Sequence, residues 1–218
     1  MSAAVPDRTA ELATLGGALR SELDSLHAAR ETILGACRRT IQACSSSIRA
    51  VHRLELDRAD RLADEAASWL DQAHDALRPH PALAGSGPLH DAEKEYAEAR
   101  LTAALVADRP LPSHQALEVA AASWLNGLAE AASELRRHLL DRLRDGELSR
   151  SEELLAAMDD AYGLLVTIDY PDAVTGGLRR TTDALRAVLE RTRGDLTTTL
   201  LQARLQAALE RQLPPEGG

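Results

Sequence analysis

The chain has 218 residues, enough for one large domain with a core of useful size. Its formal net charge of −9, from 34 acidic and 25 basic side chains, disfavours indiscriminate nucleic-acid binding, because phosphate neutralisation is the main source of that affinity. Phe is absent, the aromatics are Trp69, Trp124, Tyr96, Tyr162 and Tyr170, and Ala, Leu, Arg and Glu are abundant helix formers, so the composition excludes a sheet-based fold and indicates an all-α chain.

The first predicted helix runs from about Ala10 to Arg53, with Leu12, Leu15, Leu19, Leu23 and Leu26 followed by Ile33, Leu34, Ile41, Ile48 and Val51 at helical spacing; Gly16 and Gly17 are candidate interruptions. Cys37 and Cys44 lie seven residues apart on it, roughly 10 Å along the axis at about 1.5 Å per residue, too far for a disulfide with each other, and read as reduced core thiols. A second helix spans about Asp57 to Leu77 and stops at PHPALAGSGP, which no helix crosses. A third spans about His90 to Ala107 and stops at DRPLP.

Glu95 and Glu98 on the third helix are spaced i,i+3, and Glu130 and Glu134 farther on are spaced i,i+4, so each pair presents two carboxylates to one side of a helix. If one helix ran unbroken from Ser113 to Arg144, the pairs would miss each other by roughly 10 Å at about 1.5 Å per residue. A break near Glu118 to Ala120 removes the mismatch, so Ser113 is expected to cap a short turn and the main fourth helix to begin near Ala121. A fifth helix is expected from about Ser149 to Ile168, with Ser149 and Glu152 at capping-box spacing. The loop DYPDAVTGG leads into a long last helix from about Leu178 to Leu213, where Gly194 is a candidate kink. One domain over residues 1–213 and a disordered tail over 214–218 follow.

Four glutamates converging from two facing helices supply hard oxygen donors for Mg²⁺ or Mn²⁺. The plain alternative is a solvated helix face, with Glu134 paired to Arg137. Two features favour convergence. After Glu98 the third helix reads ARLTAALVA, apolar nearly all round, so Glu95, Glu98 and Thr102 make a narrow polar stripe between apolar sides. Buried carboxylates of that kind must be paired, protonated or metal-bound. On the fourth helix Leu125, Leu128, Ala132, Leu135 and Leu139 form the core stripe, and Gly127 and Ala131 beside the glutamates allow close approach.

The start MSAAVPDRTAELATLGG carries acids and no apolar h-region, and no stretch approaches the ~20 apolar residues of a membrane span, so a soluble, cytoplasmic protein is expected.

The runs EKEYAEAR and SWLNGLAEAASELRR, with DYPDAVTGGLRRTTDALR downstream, resemble the translin family, in particular its translin-associated and prokaryotic translin-like branch, over roughly Arg30 to Leu200. The resemblance implies an all-α bundle of about six helices with long first and last helices, assembly into a hollow homo-oligomer, most often an octamer, and binding of single-stranded RNA or DNA. It also implies Mg²⁺-dependent endoribonuclease activity. The catalytic motif Q-E-Y-V-E-A falls on Glu95 and Glu98, and D-x-x-x-E falls on Glu130 and Glu134. Glu130 departs from the pattern, standing where the catalytic branch has Asp. Arg38, Arg39, Arg49 and Arg53 on the first helix and Arg179 and Arg180 at the start of the last are candidate phosphate contacts, against surface or subunit salt bridges as the alternative.

Three other readings compete. All-α nucleoside-triphosphate pyrophosphohydrolases hold Mg²⁺ with ExxE, which Glu95 and Glu98 match, but their second pair is usually ExxD. A ferritin-like di-iron bundle needs Glu-x-x-His, which neither glutamate run supplies. A non-catalytic nucleic-acid-binding oligomer would keep the glutamates as vestiges.

Overall fold

The strong helix formers, interrupted at Pro, Gly and a few left-handed residues, fold in a computed structural model that describes residues 8–84 and 87–212. The helices are α1 (Arg8–His52), α2 (Leu56–Leu77), α3 (Gly87–Val106), α4 (Ala121–Arg144), α5 (Leu148–Leu165), the one-turn α6 (Asp172–Thr175) and α7 (Leu178–Gln212). The expected disordered tail, 214–218, lies outside the described residues. No strand occurs among them, and the first and last helices are the longest, as expected. No described helix is long and apolar enough to cross a membrane.

Helix α4 packs against α3, α5, α6 and α7, while α1 packs against α2 and α3. One apolar cluster gathers Cys37, Cys44, Leu70, Leu101, Leu128 and Leu185; the other gathers Val51, Leu135, Leu139, Met158 and Leu189. The interfaces are rich in fully buried alanine, including Ala63, Ala66 and Ala73 on α2 and Ala92, Ala97 and Ala99 on α3, and such small side chains let backbones approach closely. Both cysteines are buried free thiols, as expected, and burial pushes the Cys37 thiol up to about 11. Of the expected α4 stripe, Leu128, Ala132, Leu135 and Leu139 are buried and Leu125 is half-buried.

The break before α4 falls where the register argument requires it. Ser113 Oγ accepts the Ala116 N–H at 3.1 Å, Glu118 adopts φ 53°, and Trp124 Nε1 donates to the Pro112 carbonyl. Three expectations are corrected. Helix α5 starts at Leu148 behind Glu147, with no side-chain cap: Gly146 at φ 81° reverses the chain sharply, so the helix restarts before Ser149 can cap it. The DYPDAVTGG segment holds the turn α6, ended by Gly176 in the left-handed region, and α1 and α7 run through Gly16, Gly17 and Gly194 without interruption. Asn126, buried on α4, donates to the Thr175 carbonyl at 2.8 Å and accepts from Thr181 Oγ1 at 2.7 Å, which anchors the start of α7.

Both long helices carry unburied leucines. Residues 8–32 of α1 bury no side chain, Leu12, Leu15, Leu19 and Leu23 are exposed, and so are Leu201, Leu205 and Leu209 near the end of α7.

Candidate metal centre

Glycine at 127 sets the distance between α3 and α4. A Cβ there would lie 2.8 Å from the Ala97 Cβ, 2.8 Å from the Lys94 carbonyl oxygen and 3.0 Å from the Glu98 nitrogen. The close approach brings Glu95, Glu98 and Glu130 together, with one carboxylate oxygen from each lying within 4.8 Å of the others. Glu98 is only 7% exposed, whereas Glu95 and Glu130 are half-buried, so the cluster has an apolar floor and a solvent-facing side.

Crowding and burial set the protonation of this group. Burial pushes the Glu98 carboxyl up to about 9, and the neighbouring charges of Glu95 and Glu130 and a hydrogen bond shared with Glu130 push the same way. All three effects favour the protonated form of Glu98. Glu95 is also raised, by burial first and by Glu130, against the opposing pull of Lys94.

Glu134 lies one turn beyond Glu130, outside the tight group, and is held by His52 at the end of α1, whose Nε2 lies 2.6 Å from Glu134 Oε2. That hydrogen bond keeps the Glu134 carboxyl below its ordinary range despite burial. The His52 side chain is 5% exposed and its Nδ1 has no hydrogen-bond partner. The alternative partner, Arg137, acts on Glu134 only through its charge. The four glutamates are thus three converging carboxylates and a fourth one turn farther along α4, tethered by a histidine. Thr102, the end of the polar stripe, is fully buried with an unpartnered Oγ1.

Two participants escaped the sequence reading. Lys94, the chain's single lysine, places its ammonium 2.9 Å from Glu130 Oε1 and 3.5 Å from Glu95 Oε1. Its position inside EKEYAEAR was the available signal. His52 gave none, since only the fold brings it to a residue 82 positions away.

A second buried carboxylate braces the site from behind. Glu93 accepts the Ala120 N–H at 3.1 Å, the Ser123 hydroxyl at 2.8 Å and His74 Nε2 at 3.0 Å. It sits at the N-terminus of α4, where negative charge is favoured, and so fixes the helix that carries Glu130. Burial alone would raise its pKa, but these hydrogen bonds bring it below the ordinary value.

The six candidate arginines are all exposed. Arg39 stacks over Trp69 at 4.3 Å from the ring centroid, and Arg49 donates to Ser46 Oγ at 2.9 Å. Because His52 reaches Glu134, the last turn of α1, which carries Arg49, and Arg53 just past its end lie near the middle of α4, one turn beyond Glu130. Arg179 and Arg180 open α7 behind the Asn126 anchor.

The donor set fits a hard divalent cation. Three carboxylates converge from two helices, and burial and like-charge crowding, which push the Glu98 carboxyl up, are penalties that a bound cation would relieve.

No family model matches the chain. An uncharacterized protein of Methanocaldococcus jannaschii is 29% identical over 187 residues, 84% of this chain and 81% of that protein. Among solved structures, AfC3PO in a complex with duplex RNA matches with a TM-score of 0.79 at 30% identity, over 87% of this chain and 97% of that one. A crystal structure of AfC3PO gives 0.78 at the same identity, covering 98% of its chain. Apo-NeC3PO, at 18% identity, shares the fold, with a TM-score of 0.76 over 91% of this chain and all of its own. Together with the helix order and the glutamate runs, the match to AfC3PO across nearly its full length shows that this chain belongs to the translin family.

Proposed function

We propose that the chain binds nucleic acid and cleaves RNA at the cluster of Glu95, Glu98 and Glu130, with Glu134 as the fourth carboxylate. The observation that carries this reading is the convergence of three carboxylates from α3 and α4, in a family member 30% identical to a protein solved with duplex RNA. Mg²⁺ or Mn²⁺ held there would polarise the scissile phosphate and make water a nucleophile near neutral pH. The protein's own groups prepare the place for it. Glu98 would give up its proton to ligate the cation, His52 fixes the orientation of Glu134, and the Glu93 network holds α4 in register. Arg38, Arg39, Arg49, Arg53, Arg179 and Arg180 would meet phosphates without reading sequence. With so few aromatics, base stacking contributes little.

A homo-oligomer, an octamer by the family resemblance, is the proposed working state. The exposed leucines near the end of α7 and along the start of α1 support it, since single-chain packing leaves them in water.

The Lys94–Glu130 ion pair favours a second reading, a non-catalytic nucleic-acid-binding oligomer whose acidic cluster is partly neutralised by its own lysine. One experiment separates the readings. Purified protein is incubated with labelled single-stranded or duplex RNA in Mg²⁺, Mn²⁺ or EDTA, beside a panel of nucleoside triphosphates. RNA cleavage that needs metal supports the nuclease. RNA binding without cleavage supports the second reading, and triphosphate hydrolysis alone supports a pyrophosphohydrolase.

A further inference from the structure

We propose that Lys94 is the built-in second cation of a one-ion site: it positions Glu130 and Glu95 and occupies the space a second divalent ion would need. The inference rests on the metal reading above and goes beyond it by assigning the ion count and the residue that sets it.

Lys94 precedes Glu95 on α3, and its ammonium spans the gap to α4, with Glu130 Oε1 at 2.9 Å and Glu95 Oε1 at 3.5 Å. The side chain is 21% exposed, so this is an ion pair sheltered from water on most sides rather than a loose surface contact. In two-metal phosphodiesterase sites the ions lie about 3.5–4 Å apart, so a second ion would have to sit beside the first among the same carboxylates. Glu130 is the one member of the cluster offered by α4, and the ammonium already takes its Oε1. Charge points the same way. A second divalent ion beside the ammonium would meet the repulsion of a fixed positive charge.

A glutamate side chain at 130, one methylene longer than aspartate, carries its carboxylate away from α4 toward the ammonium on α3. Lys94 is a positioning residue that acts through Glu130.

The test is a titration of the metal-free, full-length protein with Mn²⁺, with free Mn²⁺ followed by its paramagnetic resonance signal. The parent is expected to take up one ion per chain, Lys94→Arg one, and Lys94→Gln and the double variant Lys94→Gln/Glu130→Asp two. Two ions per chain in the parent, or one in both Gln-bearing variants, would overturn the role of Lys94 while leaving the metal site standing. No uptake by the parent would overturn both. Two ions per chain in the parent overturns the role of Lys94 whether or not the Gln variants fold, which their thermal melting in EDTA reports.

Discussion

Gly127 on α4 and Ala97 on α3 are in backbone-limited contact: a Cβ on Gly127 would fall 2.8 Å from the Ala97 Cβ and equally close to the Lys94 carbonyl oxygen. Neither obstacle is the flexible end of a side chain, so Gly127→Ala must push the helices apart. A destabilisation of about 1–3 kcal/mol is expected, as for other overpacked cores. Because Glu98 and Glu130 flank this contact, Mn²⁺ affinity is expected to fall as well. Chemical denaturation and a metal titration of the same variant check the two effects. A variant of parental stability would show that the helices can separate without cost.

Buried Glu93 gives a prediction about register. Ser123→Ala removes one of its donors and leaves the carboxylate less satisfied, which is expected to cost about 1–3 kcal/mol. The Glu93–His74 pair also sets a pH window. The His74 pKa is raised, first by its hydrogen bond to Glu93, so its contribution is full below its ordinary 6.5 and fades as pH climbs through the raised value. The Glu93 pKa is lowered, so its contribution is present above 4.5 and fades as pH drops through the depressed value. Parent and His74→Ala are therefore expected to differ most in stability between about pH 4.5 and 6.5. An equal gap at pH 5.5 and pH 9 would mean that the pair adds no ionic stabilisation.

Glu98 has the opposite sign. Its pKa rises from 4.5 unfolded to about 9 folded, so between those values the native state holds a proton that the unfolded chain releases, and stability in EDTA declines as pH rises. The limiting slope is about 1.4 kcal/mol per pH unit. Glu98→Gln cannot lose that proton, so it is expected to be at least as stable as the parent at pH 8, with a shallower decline, as measured by denaturant midpoints across the range. Parallel pH profiles would place the Glu98 proton loss elsewhere.

For nucleic-acid binding, Arg38→Gln, Arg49→Gln and Arg53→Gln combined are expected to weaken RNA affinity similarly for all sequences and to flatten its salt dependence. Fluorescence anisotropy at several salt concentrations reads both. An unchanged affinity and salt slope would return these arginines to surface roles such as the hydrogen bond from Arg49 to Ser46.

Helix order was legible in the sequence because apolar periodicity and Pro/Gly punctuation are local signals. The break before α4 was legible for a different reason: convergence of Glu95 and Glu98 with Glu130 required it, and Glu118 at positive φ supplies it. The start of α5 was missed because a serine and a glutamate at capping spacing say nothing of how tightly Gly146 reverses the chain. His52 and Glu93 were missed because each owes its role to partners on other helices. The leucines of α1 illustrate the limit of periodicity, which finds the stripe from Leu12 to Leu23 but not that this chain alone leaves it unburied.

The most direct test treats the carboxylates as a unit. Glu95→Gln, Glu98→Gln, Glu130→Gln and Glu134→Gln are each measured for Mg²⁺-dependent RNA cleavage and, separately, for RNA binding. Each is expected to lose most cleavage, since each removes a charged ligand from a site that acts collectively, while binding largely survives on the arginines. Glu130→Asp is expected to keep more activity than Glu130→Gln, since it retains the carboxylate while shortening its reach to Lys94. Parental cleavage by all four Gln variants would contradict the assignment and leave the glutamates as a polar stripe.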